Sequence, residues 1–179
     1  PGDFGEVTFD FALCDNPGYV WLNGSLIAAS ENGLTEPEAD DEDEREGVVE
    51  LLDEVRAAVW VDDGNDYQDG TESPVLVDSL RTVLATLGSG KGLELAGDTP
   101  APQGGGTGRD CFAGTRDGEA TLHSVAFAWW LPVDHANEIQ TDRVQFDLGF
   151  YTEQCRHNDG SGLPPTETPS TDTATQTPE

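Results

Sequence analysis

Both ends of this chain carry segments in which apolar residues return at every second position. Near the N-terminus Val7, Phe9, Phe11 and Leu13 alternate with Glu6, Thr8, Asp10 and Ala12. Within Thr141–Cys155, Val144, Phe146, Leu148, Phe150 and Thr152 alternate with Gln145, Asp147, Gly149, Tyr151 and Glu153. A period of two places one set of side chains on one face of an extended strand and the other set on the opposite face. The apolar face of each strand has to be covered. A lone hairpin is not stable in water, so the strands at the two ends must close over one another or over another chain.

Two further segments read as strands. Tyr19–Ala28 follows the turn Asp15-Asn16-Pro17-Gly18, where Pro fixes φ at one position and Gly permits a positive φ at the next. Thr121–Leu131 is the most apolar stretch and is expected to be a central strand; Pro132–Asn137 then turns the chain. In Thr121–Leu131, Phe127 and Trp129 share a face and Trp130 takes the other, so they read as core on both sides, as do Trp21 and Trp60.

The middle of the chain changes character. Ser30–Glu46 is an acidic run containing Glu36, Glu38, Asp40, Asp41, Glu42, Asp43, Glu44 and Glu46, expected to be solvated. In Gly47–Trp60, Val48, Leu51, Leu52, Val55, Ala58 and Val59 recur at helical spacing. Val77–Leu87 predicts a second helix with Leu80, Val83, Leu84 and Leu87 on one stripe and Gly88 as its C-cap. Gly90–Gly118 is loop-rich, with Gly104-Gly105-Gly106 in its middle. The fold class implied is mainly β: an antiparallel, jelly-roll-like β-sandwich over residues 1–160. A two-helix segment and long acidic loops are inserted over about residues 30–118, and a disordered Thr/Pro-rich linker follows over 161–179.

Charge narrows the function. Asp plus Glu number 36 against 8 Lys plus Arg, a net charge of −28, and Lys91 is the single lysine. The acids are spread along the whole chain. At ~1 M salt the Debye length is about 3 Å, so self-repulsion that would loosen a fold in dilute buffer is screened. The composition points to a salt-loving source, with an acidic mesophilic secreted protein as the alternative. Nucleic acid is excluded as a natural partner by like charge, an anionic membrane surface is disfavoured for the same reason, and no apolar run is long enough to span a bilayer. The absence of Met and the turn-like start Pro1-Gly2-Asp3 lead us to expect a processed product or fragment from which any signal peptide is gone. The Thr- and Pro-rich stretch Pro164–Glu179 suits a stalk holding the domain off a surface, or a simple disordered terminus.

Cys14, Cys111 and Cys155 allow at most one internal bridge. Cys14–Cys155 is the expected pair, each at the end of a predicted strand; three reduced thiols are the alternative. Asp62, Asp63, Asn65, Asp66 and Asp69 offer five oxygen-bearing side chains in eight residues and form a candidate calcium loop, although their spacing departs from the EF-hand pattern. Calcium is the one cofactor these residues suggest. Asn23-Gly24-Ser25 matches an N-glycosylation acceptor at Asn23. His123, His135 and His157 are scattered, and no zinc-protease, nucleophile-elbow or phosphate-loop motif is present, so no catalytic residues are assigned.

Several stretches carry a resemblance. They are Val7–Tyr19, Glu31-Asn-Gly-Leu-Thr-Glu-Pro-Glu38, Phe127-Ala-Trp-Trp-Leu-Pro-Val133, Asn137-Glu-Ile-Gln-Thr-Asp142 and Phe146–Cys155. Together they resemble haloarchaeal secreted proteins of the TasA/camelysin type, which carry a SipW-type signal peptide. The resemblance implies a jelly-roll-like sandwich exported to the cell surface, and self-association into biofilm-matrix fibres. In such fibres an N-terminal strand of one subunit fills a groove in the next. The chain as given lacks the export segment and the strand expected upstream of Pro1, and the name camelysin suggests a proteolysis that no zinc ligands support here. The leading expectation is thus a secreted, salt-adapted surface or matrix fibre subunit. The alternatives are a stalk-borne binding or adhesion module, working through loops at Asp62–Gly70 and Pro132–Asn137, and, further off, a camelysin-like metalloprotease.

Overall fold

The computed structural model describes residues 2–42, 45, 47–70, 72–99, 110–115, 120–134, 137–156, 158 and 160. The predicted linker 161–179, the glycine run 104–106, and His135 and His157 lie outside the described residues. The elements in chain order are β1 (Phe4–Leu13), β2 (Gly18–Ser30), α1 (Glu36–Ala39), α2 (Leu51–Glu54), β3 (Arg56–Asp62), β4 (Leu76–Ser79), α3 (Leu80–Leu87), β5 (Leu93–Leu95), β6 (Thr121–Trp130) and β7 (Arg143–Gln154).

The strands form two antiparallel sheets, one in the order β1-β6-β3-β4 and the other β5-β2-β7. The protein is mainly β and has the two-layer form of a sandwich. The terminal strands meet as the alternation requires. Phe9 and Phe11 of β1 lie across from Phe150 of β7, with ring centroids 6.1 and 5.2 Å apart. Phe127 of β6 reaches Phe146 of β7 at 5.6 Å. The shared interior holds Val20 and Leu22 from β2, Ala57 and Val59 from β3, and Val125 and Phe127 from β6, all fully buried. β6 is an interior strand, as its apolar run predicts, and pairs with β1 on one side and β3 on the other.

The insertion differs from its predicted form. Gly47–Trp60 is not one helix: a single turn, α2, gives way to strand β3 in the middle of the larger sheet. Ala57 and Val59 face the shared interior, while Ala58 and Trp60 pack with Ala126, Ala128 and Trp130 on the sheet's outer face. A strand buried on both faces is a continuous apolar run, and periodicity alone does not separate it from a buried helix. Residues Leu76–Ser79 form edge strand β4 rather than the first turn of a helix. The helix itself is α3, with Ser79 as its N-cap accepting from the Thr82 N–H at 3.3 Å. Leu80, Val83, Leu84 and Leu87 are its buried stripe, and Gly88 is its C-cap. The helices are therefore accessories to a segment that supplies three strands.

The acidic run is also more ordered than expected between Glu31 and Glu42. Glu38 is fully buried, and its carboxylate accepts the Thr35 N–H at 2.9 Å, capping α1. Asp43, Glu44 and Glu46 lie outside the described residues.

No helix among the described residues is long and apolar enough to cross a membrane.

Candidate functional site

The two sides of the sandwich are closed differently. On one side α3 bridges the layers, touching β3 and β4 of the larger sheet and β2 of the smaller. On the other side lie the two longest edges, β1 with ten residues and β7 with twelve. Each pairs with one neighbour only: β1 with β6, and β7 with β2. Among the described residues no strand pairs with the outer edge of either.

The burial pattern follows this geometry. Val7, Phe9, Phe11 and Leu13 of β1, and Val144, Phe146, Leu148 and Phe150 of β7, point inward yet are only partly buried. Val20 and Leu22 of the neighbouring strand β2, and Val125 and Phe127 of β6, are by contrast fully buried, although Trp129 further along β6 is 36% exposed. The sandwich thus has a seam between β1 and β7, with a partly buried apolar floor and two backbone edges that no described strand pairs with. Where the end of β1 meets the paired ends of β2 and β7 there is a cleft of about 200 Å³, lined by Leu13, Pro17, Gly18 and Thr152–Gln154. Free N–H and C=O groups flanking exposed apolar side chains are a template for an added strand.

The candidate calcium loop is only partly assembled as predicted. Asp62, the last residue of β3, is 5% exposed, and its Oδ1 accepts the N–H groups of Gly64 at 2.7 Å and Asp66 at 3.4 Å. Asp62 and Asp63 converge with Glu72, their carboxylate oxygens within 4.8 Å of one another. Asp66 and Asp69 fall outside that group. Asn65 is engaged elsewhere, its Oδ1 accepting the Tyr67 N–H at 2.8 Å. Glu72 accepts from the N–H groups of Asp63 and Asp69, at 2.7 and 3.2 Å, and closes the loop. Burial and the nearby charges of Asp62, Asp66 and Glu72 push the Glu6 carboxyl above its ordinary value. The loop borders an acidic cleft of about 530 Å³ that also involves Asp98, His123 and Ser124. Glu72 was missed because a spacing pattern stops at the end of the acidic run.

The disulfide is a correction. Cys111 is joined to Cys155, with Cα atoms 6.3 Å apart, and Cys14 is free and exposed. Both bridged residues flank the start of β2: Phe112 exchanges backbone hydrogen bonds with Gly18, and the Cys155 N–H donates to the Pro17 carbonyl. The bridge packs with Tyr19, Trp21 and Tyr151 on the outer face of the smaller sheet. Lys91 lies over the Trp21 ring at 4.4 Å and pairs with Glu153 at 3.1 Å. Burial pushes the Glu153 carboxyl up, but hydrogen bonds from Tyr151, Lys91 and Asn158 outweigh it and hold the group below its ordinary range. The sole lysine is therefore a structural residue. Asn23 sits half-buried in β2, opposite Gly149 of β7.

Neither a protein-family model nor a curated protein matches the chain.

Proposed function

We propose that this chain is a secreted, salt-adapted structural subunit of a cell surface or extracellular matrix, and that it self-associates by β-strand addition. The observation that supports the reading is the seam: two long edges that no strand among the described residues pairs with, on either side of an apolar floor that is only partly buried. An extended segment with alternating apolar residues, supplied by a second copy, satisfies both requirements at once. Its backbone pairs with an edge, and its inward side chains complete the core. The net charge of −28 keeps copies apart in dilute buffer and permits contact in concentrated salt. The buried Cys111–Cys155 bridge fits an oxidising location outside the cell. The resemblance to TasA/camelysin-type proteins points the same way, and a jelly-roll topology for the two sheets is part of this proposal.

A stalk-borne binding module is the second reading. It is favoured by the acidic cleft at Asp62, Asp63 and Glu72, whose charge suits a cationic ligand.

Electron microscopy of the full-length mature protein, with any segment that precedes Pro1, in molar salt tests the first reading. We expect ordered filaments from the unmodified protein. We expect monomers from Phe9→Asp and from Val144→Asp, each of which sets a charge on the seam floor. Persistent monomers of the unmodified protein, or filaments unchanged in both variants, contradict strand addition at this seam.

A further inference from the structure

We propose that Glu31, Glu50 and Asp142 hold a calcium ion that pins the α2 turn to the paired ends of β2 and β7. The three residues are distant in sequence and are brought together by the sheet register. Ser30 pairs with Arg143 at the last rung of the β2–β7 ladder, so Glu31 and Asp142 leave that ladder side by side. The Leu51 N–H donates to Asp142 Oδ2 at 3.0 Å, which brings Glu50 to the same point. One carboxylate oxygen from each residue then lies within 4.8 Å of the other two. Oxygens bound to one calcium at ~2.4 Å are separated by no more than about 4.8 Å, so the three fit around a single ion.

The cluster is more than a patch of surface acid. Glu50 is 2% exposed. Its Oε1 accepts from Arg45 Nε at 3.0 Å, while its Oε2 is shut off from solvent without a hydrogen-bond partner. Asp142 Oδ1 is in the same condition, and both carboxylate oxygens of Glu31 are shielded from water. The Arg45 side chain is 57% exposed and is shared with Asp53. That guanidinium reaches Glu50 Oε1 and leaves Glu50 Oε2 and Asp142 Oδ1 withdrawn from water without a hydrogen-bond partner; a cation held between them offsets that cost.

The donors identify the ion. They are carboxylate oxygens only, with no His or Cys in the group, which selects a hard cation. Magnesium keeps much of its water and demands tight octahedral geometry, whereas calcium accepts a crowded, irregular set of carboxylates. This site is separate from the loop at Asp62, Asp63 and Glu72, and it does not depend on the seam.

The test is thermal unfolding of the full chain, monomeric and at constant molar NaCl, after chelation and then with Ca²⁺ or Mg²⁺ added. We expect Ca²⁺ to raise the midpoint by several degrees and Mg²⁺ to have little effect. Glu50→Gln and Glu31→Gln should each weaken the apparent Ca²⁺ affinity by at least roughly tenfold; Asp63→Asn should leave it unchanged. Should Glu50→Gln fail to fold, the less buried Glu31→Gln decides alone. The proposal is overturned if the chelated protein does not respond to Ca²⁺, if Glu31→Gln responds like the unmodified protein, or if Asp63→Asn abolishes the response. An equal response to Mg²⁺ overturns the assignment to calcium.

Discussion

Removing the Cys111–Cys155 bridge by paired replacement with Ala is expected to lower the unfolding free energy by about 4 kcal/mol, the entropy of a closed loop of this size. The linked residues are 44 apart in sequence, and the loop between them contains all of β6. Both cysteines are buried, at 0 and 1% exposure, so the change also loosens the cluster of Tyr19, Trp21 and Tyr151. Cys14→Ser, at an exposed thiol, should shift stability by no more than about 0.5 kcal/mol. Urea unfolding in molar salt measures both. Equal losses for the two changes, or a larger loss for Cys14, would mean that the chain is bridged differently.

Phe127→Ala should cost about 4 kcal/mol, within the range for a deleted aromatic core residue. The ring is fully buried in an interior strand and touches Phe146 from the facing sheet and Trp129 from its own. Phe9→Ala removes the same number of atoms from β1, yet its side chain is only partly buried on the seam floor. A loss of about 2 kcal/mol is expected there, because water already reaches part of the ring. The difference between the two variants, read from the same urea titration, reports how open the seam is. Equal losses would mean that β1 is covered as thoroughly as β6.

The contrast between these strands also explains what could be read in advance. β1 and β7 have one covered and one wet face, so their polar and apolar residues alternate visibly. β2 and β6 were recognisable from their apolar content, and α3 from its stripe of Leu80, Val83, Leu84 and Leu87. β3 was hidden because Ala58 and Trp60 are buried against the outer face while Ala57 and Val59 fill the interior. Burial on both sides erases alternation, and the residue was helix-like spacing.

The sites failed to show for a different reason. The choice of Cys14 rested on its place at a strand end, but β1 and β7 belong to different sheets. The backbone pairing of Phe112 with Gly18 is what carries Cys111 to Cys155, and no local signal announces it. Likewise Asp62 and Asp63 are neighbours in sequence, whereas Glu72 joins them through a loop closure. Glu31, Glu50 and Asp142 meet only through strand register, which a search for closely spaced acids passes over in a chain with 36 of them.

Amide hydrogen exchange along β1 and β7, followed in molar salt before and after self-association, tests the open seam most directly. Alternate amides of both strands should exchange freely in the monomer, against slow exchange in β2 and β6, and should become protected as copies associate. Strong protection of both edges already in the monomer, or exchange that association leaves unchanged, would contradict it.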